Sequence, residues 1–303
     1  MRRWEYRAEA TDADKRLSQL LYARFQLTRR QISRLKFQEG GICVNGKACR
    51  TDHRVQSGDR IVLTLDQPPS QLETPPFHVP LRILYENTDL IAVHKPSGMA
   101  FHPGHGHYYD TLSVQLDHQL KQEGRGTRLH AVGRLDKDTS GIALFAKHPI
   151  SAQRLHAQLR NGQLKKTYRA IAYGLTPPAG TISTPIQRKD GVLNQMEIHP
   201  DGKSAVTRYE CLRSSANHSL LQLQLESGRT HQIRVHMQSI GHPLAGDVIY
   251  GYADSCPRLA LHAWMLRFHD PFREETIVLT DTDDSFEALI RRLFQTETKE
   301  ETV

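Results

Sequence analysis

The chain has 303 residues and a net charge of +7, a length that suffices for one large core and a small appended domain. No run of about 18 apolar residues occurs and the first residues lack an apolar signal region, so we expect a cytoplasmic protein without membrane association. Four cysteines lack any zinc spacing and are expected to be reduced thiols: Cys43, Cys49, Cys211 and Cys256.

Positive charge is concentrated at the start of the chain. Residues 1–65 contain 14 Lys and Arg against 7 Asp and Glu, a net charge of +7 that equals the charge of the whole chain. In the remaining residues the basic and acidic side chains are therefore equal in number, and all of the excess positive charge lies in the first fifth of the sequence.

Residues 1–65 also have the pattern of a separate domain. Leucines spaced on one face predict a helix that begins near Asp14, and Thr28 is a suitable N-cap for a second helix. In that second helix Ile32 and Leu35 would face inward. Its other side carries basic residues: Arg29, Arg30, Arg34 and Lys36. By itself, such a basic helix face is more often a solvated surface than a nucleic-acid site.

A hairpin is predicted to follow these helices. The dipeptide Asn45-Gly46 supplies the positive φ angles of a tight turn, Lys47 comes next, and Gly58 opens a final strand of the domain. Residues 66–80 contain five prolines and predict a stiff, extended linker. At the other end of the chain, residues 295–303 form a polar tail that is expected to fray.

The larger part of the chain, residues 81–294, is richer in short β-type runs than in helical ones. Clustered strands with few alternating helices predict an α+β fold with a mixed, largely antiparallel sheet. The predicted strands are Leu90 to Val93, Ile142 to Ala146, Thr167 to Ala172, Val206 to Leu212 and Leu220 to Leu225. The predicted helices are Ser151 to Leu159, Thr230 to Ile240 and Ser285 to Phe294.

A polar turn between two apolar runs presents a carboxylate, Asp136, in the sequence Arg134-Leu-Asp-Lys-Asp-Thr-Ser-Gly141. The turn imitates the start of a calcium loop, but its twelfth position is Lys147 where a Glu is needed, so metal binding is disfavoured. Taken alone, the turn is better explained as a capped loop whose Asp accepts backbone hydrogen bonds. Asp138 is expected to point elsewhere and to cap the turn.

Five stretches in order resemble the motifs of the RluA-type pseudouridine synthases. The Arg-Leu-Asp and Thr-Ser-Gly elements around Asp136 form one of them, and Gly133 stands where much of that family carries His. The other four contain Lys95-Pro96-Ser-Gly98 with His102, Lys166-Thr-Tyr168, Ser227-Gly-Arg229-Thr-His231-Gln-Ile-Arg234, and Leu259-Ala-Leu261-His262. The first segment resembles the small RNA-binding module named after the fourth protein of the small ribosomal subunit, here called the S-four module.

The resemblance implies isomerisation of uridine in RNA to pseudouridine by an α+β enzyme without metal, nucleotide or flavin. It implies that the carboxylate of Asp136 attacks or stabilises an electron-poor carbon of the substrate. Tyr168 would stack on the base and help to remove the carbon-5 proton. Arg234 would keep Asp136 ionised and orient its carboxylate. Substrate contacts are expected from Arg134, Leu261, Arg229, Gln232 and His102. RNA backbone contacts in the first domain are expected from Arg29, Arg30, Arg34, Lys36 and Lys47.

Two other function classes compete with this hypothesis. A catalytically silent RNA-binding or ribosome-assembly factor would lack Asp136, Tyr168 or Arg234, yet all three are present. A base-removing glycosylase would need a motif that activates water, and none is visible. The appended basic module favours ribosomal RNA over transfer RNA as partner, and no obligate protein partner is evident, so we expect a monomer.

Overall fold

The computed structural model describes residues 3–65, 74–104, 106–252 and 256–294. The predicted polar tail and residues 66–73 of the predicted linker lie outside these ranges. Within them, every helix is too short or too polar for a bilayer crossing.

Residues 3–65 form a small sheet packed on two helices. Its strands and α-helices are β1 (Arg3–Arg7), α1 (Leu17–Ala23), α2 (Arg29–Phe37), β2 (Ile42–Val44), β3 (Lys47–Ala48) and β4 (Arg60–Thr64). The strands are arranged in the order β1-β4-β2-β3, and all of these pairings are antiparallel.

The capping and turn predictions for this part are confirmed. The Gln31 amide donates to the Thr28 hydroxyl at 3.3 Å, and Asn45 and Gly46 have φ angles of 49° and 81°. The predicted start of the first helix was wrong: the helix begins at Leu17 because Asp14 adopts a φ of 64°, which is incompatible with a helix. Strand β1 was missed, since its alternation of half-buried and exposed residues is short and polar.

The larger part is built on one mixed sheet of ten strands. The first half of this part contains β5 (Ile83–Glu86), β6 (Leu90–Lys95), α3 (Leu112–Gln122), β7 (His130–Ala131), β8 (Ser140–Ala146), α4 (Pro149–Arg160), β9 (Lys165–Tyr173) and β10 (Ala179–Ile182). A separate two-stranded sheet, β11 (Ile186–Arg188) and β12 (Met196–Ile198), follows. The second half contains β13 (Thr207–Ser214), β14 (His218–Leu225), α5 (Gln232–Ser239), β15 (Leu261–His269), β16 (Thr276–Thr280) and α6 (Asp284–Phe294). The strand order in the ten-stranded sheet is β10-β13-β14-β9-β15-β8-β6-β5, with β16 paired to β15 and β7 paired to β8.

The predicted α+β class with a largely antiparallel sheet is confirmed. Among the described strands of this sheet, only the β15 to β8 contact is parallel. The five predicted strands and three predicted helices are all present, with ends that differ by a few residues.

The central strands of the sheet are buried on both faces. Successive residues of β8 alternate between two apolar clusters: Ala143 and Phe145 pack in one, and Ile142 and Leu144 pack in the other. Helices α3 and α5 contribute to the first cluster, and α4 contributes to the second. A loop that ends at such a strand is anchored on a rigid element.

Strand β8 begins with a close backbone approach to β15. Gly141 pairs with Ala263 at a φ of 118°, and a Cβ atom at Gly141 would lie only 2.4 Å from the Ala263 carbonyl oxygen. A residue with a side chain is therefore excluded at Gly141. The glycine of the Thr-Ser-Gly sequence fixes where the Asp136 turn enters the sheet.

The small sheet domain is docked on helix α4 of the larger part. The guanidinium of Arg154 lies 4.4 Å from the centre of the Trp4 ring and 5.0 Å from that of Phe272. Arg154 also donates to the carbonyl oxygens of Pro271 and Phe25, at 2.6 and 3.3 Å. A cation between two aromatic rings thus joins the small sheet domain to the larger part.

Candidate active site

One small pocket, with a volume of about 70 Å³, collects side chains from four separate stretches of the chain. Most of the residues predicted to act on the substrate line it: Asp136, Tyr168, Arg234, Arg134, Leu261, Arg229 and Gln232. His102 lies outside it, in a groove that shares Arg134 and Tyr168 with the pocket. The fold therefore brings together residues whose proximity the sequence only implied.

Asp136 lies half-buried in the turn between β7 and β8. The turn is closed by a hydrogen bond from the Thr139 amide to the Asp136 carbonyl at 3.2 Å, and the neighbouring Leu135 is buried in the core. Asp138 points elsewhere, as predicted, and lines a second cavity. Its predicted capping role was wrong, because in the described chain the Asp138 carboxylate accepts no hydrogen bond from the turn.

A buried ammonium connects the Asp136 turn to the end of strand β6. Lys95 is fully buried at the end of β6, and its Nζ donates to the carbonyl oxygens of Pro96, Met99 and Lys137 at 2.7 to 2.8 Å. Burial lowers the pKa of Lys95 to about 7, although the charges of Asp138 and Asp136 oppose this shift. Lys95 thereby fixes the loop that carries the candidate carboxylate.

Tyr168 extends from β9 into the same pocket and is 7% exposed. Burial first, and the negative charge of Asp136 second, raise the pKa of its phenol well above the ordinary value. The phenol therefore stays protonated at neutral pH, and its ring face and hydroxyl lie within the electrostatic reach of Asp136.

Arg234, on α5, is 2% exposed and forms a bidentate pair with a residue that the sequence analysis did not single out. Its Nε and Nη2 donate to the two carboxylate oxygens of Asp247 at 2.7 and 2.6 Å. The expected bidentate pair with Asp136 was wrong: among the described residues no ion pair joins the two side chains. Asp247 accepts both hydrogen bonds of the Arg234 guanidinium, and Asp136 interacts with Arg234 only through its charge.

The charge of Arg234 still couples to Asp136. Burial by itself lowers the pKa of Arg234, but its hydrogen bonds to the Asp247 carboxylate and the charges of Asp247 and Asp136 leave that pKa raised. The guanidinium also lies 5.1 Å from the centre of the Tyr250 ring. A permanently charged, rigidly held cation therefore sits behind the pocket.

His231 and Tyr250 support the start of helix α5. His231 occupies the N-cap position with a φ of 54°, and its Nδ1 lies 2.9 Å from the Tyr250 hydroxyl. That hydroxyl accepts a hydrogen bond from the Met196 amide at 2.7 Å, so its proton is available to the histidine ring. Burial and the charge of Arg234 lower the pKa of His231, which keeps it neutral and in a bracing role.

The predicted substrate-binding residues divide into free and engaged side chains. Arg134 is exposed and donates a hydrogen bond to the Thr230 hydroxyl at 2.9 Å. The pKa of His102 is lowered by desolvation and by the charge of Arg134. Arg229 is exposed and donates to the Ser204 carbonyl, and Leu261 is buried at the start of β15.

Gln232 is the engaged member of this set. Its amide oxygen accepts from the Ser227 hydroxyl and the Arg229 amide, and its amide nitrogen donates to the Val206 carbonyl and the Thr207 hydroxyl. These four contacts account for a bracing role, and its contact with RNA stays a prediction.

The five basic residues predicted for the first domain, Arg29, Arg30, Arg34, Lys36 and Lys47, are all exposed. As predicted, Ile32 and Leu35 on the opposite side of α2 are buried. Phe37, at the end of α2, is 82% exposed and lies under Lys36. An exposed aromatic ring among cations suits contact with an unpaired nucleobase.

The roles of Lys95 and Asp247 were not predicted from the sequence. A lysine that ends an apolar strand is a signal of a buried cation, but its three carbonyl partners come from two separate loops. For Asp247 no periodicity could have identified the pairing with Arg234, because a loop joins the two residues.

Comparison with known proteins agrees with this geometry. The family model described as RNA pseudouridylate synthase matches residues 89–239, which contain Asp136, Tyr168 and Arg234. An uncharacterised RNA pseudouridine synthase of Bacillus subtilis is 38% identical over 241 residues, covering 78% of this chain and 80% of the relative. The ribosomal large subunit pseudouridine synthase D of Escherichia coli is 36% identical over 247 residues, covering 76% of this chain and 75% of that enzyme.

Two solved structures of proteins named for the same synthase domain are also similar to this chain. Human RNA pseudouridylate synthase domain containing 1 superposes with a TM-score of 0.57 at 25% identity, covering 76% of this chain and 98% of that chain. Human RNA pseudouridylate synthase domain containing 4 also gives a TM-score of 0.57, at 26% identity over 70% of this chain and 92% of that chain.

Proposed function

The chain belongs to the RluA-type family of RNA pseudouridine synthases, which are isomerases, and from that premise we propose that it converts specific uridines of structured ribosomal RNA to pseudouridine. The observation that carries the proposal is the meeting of Asp136, Tyr168 and Arg234 in one pocket. Ribosomal RNA is favoured over transfer RNA because the Escherichia coli relative is named for the large ribosomal subunit.

The proposed reaction needs only groups that the chain and the substrate supply. The bond from the ribose carbon to the base nitrogen breaks, the base turns, a bond to carbon 5 forms, and a proton leaves carbon 5 while the nitrogen gains one. The carboxylate of Asp136 attacks or stabilises an electron-poor carbon of the sugar or ring, as carboxylates do in glycoside cleavage. No step requires a metal, a nucleotide or a flavin.

Tyr168 acts on the base. Because its phenol stays protonated at neutral pH, stacking on the uracil and donating a hydrogen bond are favoured over direct removal of the carbon-5 proton. Leu261 closes the pocket opposite the ring. Arg234 contributes a fixed positive charge beside the Asp136 carboxyl group, and Asp247 holds that charge in position.

The pocket is too enclosed for a uridine that remains stacked. The target nucleotide therefore leaves its stack and enters the pocket, at a cost that is lowest in a loop. Arg134, at the pocket entrance, is exposed and adjacent to the groove, where it can contact the phosphate of the extruded nucleotide.

The domain organisation is part of the proposal. Residues 1–65 serve as an S-four-type RNA-binding domain, residues 66–80 as a linker, residues 81–294 as the catalytic domain and residues 295–303 as a tail. The exposed basic face of α2 supports the first assignment. Burial first, and then nearby positive charges that include Arg34 on that face, lower the pKa of His130 on β7, so the basic face lies close to the catalytic domain.

The protein is proposed to act in the cytoplasm as a monomer without an obligate protein partner. The competing silent RNA-binding factor receives no support from the pocket, because the three candidate catalytic residues retain a shared cavity and mutual electrostatic contact.

Pseudouridine mapping of cellular RNA with a carbodiimide reagent tests the proposal. A strain lacking this protein is compared with the same strain carrying the wild type or Asp136→Asn. We expect modified sites in ribosomal RNA to disappear on deletion and to return only with the wild type. A phenotype rescued equally by both versions, with no site lost, would support the binding-factor function, and an abasic product would indicate a glycosylase.

A further inference from the structure

The Asp136 pocket opens into a larger groove of about 760 Å³, and both are lined by Arg134, Tyr168, Leu225 and Gly228. The groove is strongly basic. Its charged and titratable lining residues are His102, Arg134, His156, Lys165, Lys166, Arg208 and Glu226. Its one carboxylate, Glu226, already pairs with Arg208 at 2.6 Å.

Lys166 differs from the other cations of the groove. Arg134 is bonded to Thr230, Arg208 is paired with Glu226, and Lys165 extends into solvent. Lys166 is half-buried, and within the described part of the chain it has neither a hydrogen-bond partner nor an ion-pair partner. A partly desolvated cation without a partner costs free energy, so its position calls for an anion from outside the chain.

The position of Lys166 ties it to the reaction site. Lys166 and Tyr168 are two residues apart on β9, so their side chains leave the strand on the same face. The ammonium reaches the loop that carries Asp136: a Cβ atom at Gly133 would lie 3.6 Å from Lys166 Nζ. Gly133 has a φ of 71°, which a residue with a side chain rarely adopts, so glycine suits this position of the loop.

We infer that Lys166 binds a backbone phosphate of the RNA next to the extruded uridine and is therefore a substrate-positioning residue. The inference rests on the proposed function. A phosphate is the ligand that fits, because lysine recognises phosphate as a point charge, and because every nucleotide that passes along the groove brings one. The contact would hold the strand on the side of the pocket formed by β9 and the Asp136 loop.

Binding of a phosphate should be linked to protonation of Lys166. Burial lowers the pKa of Lys166 to about 8 in the free protein. A phosphate beside the ammonium favours the charged form and raises that pKa in the complex. Below pH 8 the residue is charged in both states. As the pH rises above 8, the free protein loses this proton and binding must take it up again, so affinity falls.

The test compares Lys166→Met, Lys166→Arg and the control Lys189→Met, at an exposed lysine outside the groove, in the full-length chain. The probe is a transcript containing the uridine identified by the mapping experiment, and binding is measured in the Asp136→Asn background so that no turnover occurs. For Lys166→Met we expect affinity lowered about tenfold and a salt slope reduced by about 0.7 to 0.9. Turnover of the same variants with Asp136 intact should show a raised KM and an unchanged kcat.

Lys166→Arg should keep the affinity and lose its decline above pH 8, because arginine remains protonated. Unchanged affinity and salt slope in Lys166→Met would overturn the inference, as would a lowered kcat with normal binding, which would place Lys166 in the chemistry. Failure of the proposed function is recognised separately, because the wild type would then modify no uridine in the mapping experiment.

Discussion

The candidate active site and the basic helix α2 hold their charges in opposite ways. In the active site, Arg234 and Asp247 are buried, paired in fork geometry and held by the helix and sheet around them. On α2, Arg29, Arg30 and Arg34 are exposed, and among the described residues none of them has a salt-bridge partner. The active site therefore holds its charges in a fixed arrangement, whereas helix α2 exposes mobile charges to solvent.

The difference corresponds to two tasks. A reaction requires groups held at defined positions, and pairing in a desolvated environment provides this rigidity. Attraction to an RNA backbone requires only positive charge near phosphates, and it weakens as salt is added. Substitutions in the two regions should therefore affect different measurements, in proportion to how firmly each charge is held.

The largest effect is expected from Asp136→Asn, which removes the candidate carboxylate with little change in shape. We expect kcat to fall on the order of 10³-fold or more while RNA affinity stays within twofold, because the loop and the basic helix are unchanged. Single-turnover kinetics and equilibrium binding measure the two quantities. Asp138→Asn, in the same turn but outside the pocket, should retain activity. Retained turnover in Asp136→Asn would remove Asp136 from its role.

Next in size is the effect of Asp247→Ala on stability. Removing one member of a fully buried pair leaves Arg234 uncompensated, so the free energy of unfolding should fall by about 3 to 5 kcal/mol. Denaturant unfolding measures this change. Arg208→Gln is a matched control, since its pair with Glu226 is exposed and should contribute less than about 1 kcal/mol. Equal losses in both variants would contradict the contrast between fixed and mobile charge.

A smaller effect is expected from Arg154→Met at the junction of the small sheet domain and the larger part. The variant keeps the length of the side chain but loses the cation between Trp4 and Phe272, which is worth up to about 2 kcal/mol when desolvated. We expect faster proteolytic release of the first domain and weaker binding of long RNA, with kcat unchanged. Proteolysis rates identical to wild type would show that other contacts hold the domains together.

The smallest effect is expected from the double variant Arg29→Gln and Arg30→Gln. Affinity should fall several-fold, and the slope of log affinity against log salt should decrease by about 0.7 to 0.9 for each phosphate that is no longer neutralised. The control is Arg291→Gln with Arg292→Gln on α6, which removes the same charge from another exposed helix. Equal salt slopes in the two double variants would show that the basic face of α2 is only solvated.

Local sequence determined much of this protein. Thr28 predicted a helix start and Asn45-Gly46 a hairpin, because caps and tight turns depend on neighbouring residues alone. The apolar runs predicted the strands of the main sheet and its largely antiparallel character. The motif around Asp136 predicted a reactive turn between two strands, and the pocket contains that carboxylate.

Only the tertiary structure decided which charges meet. Arg234 pairs with Asp247 and not with Asp136, Lys95 reaches the carbonyl of Lys137, and Arg154 joins the small sheet domain to the larger part. Such contacts depend on how separate elements pack, and a partner's identity leaves no periodic signal in the sequence. A side chain's own type sets the chemistry it can perform, but burial and the geometry of its neighbours determine which partner it serves.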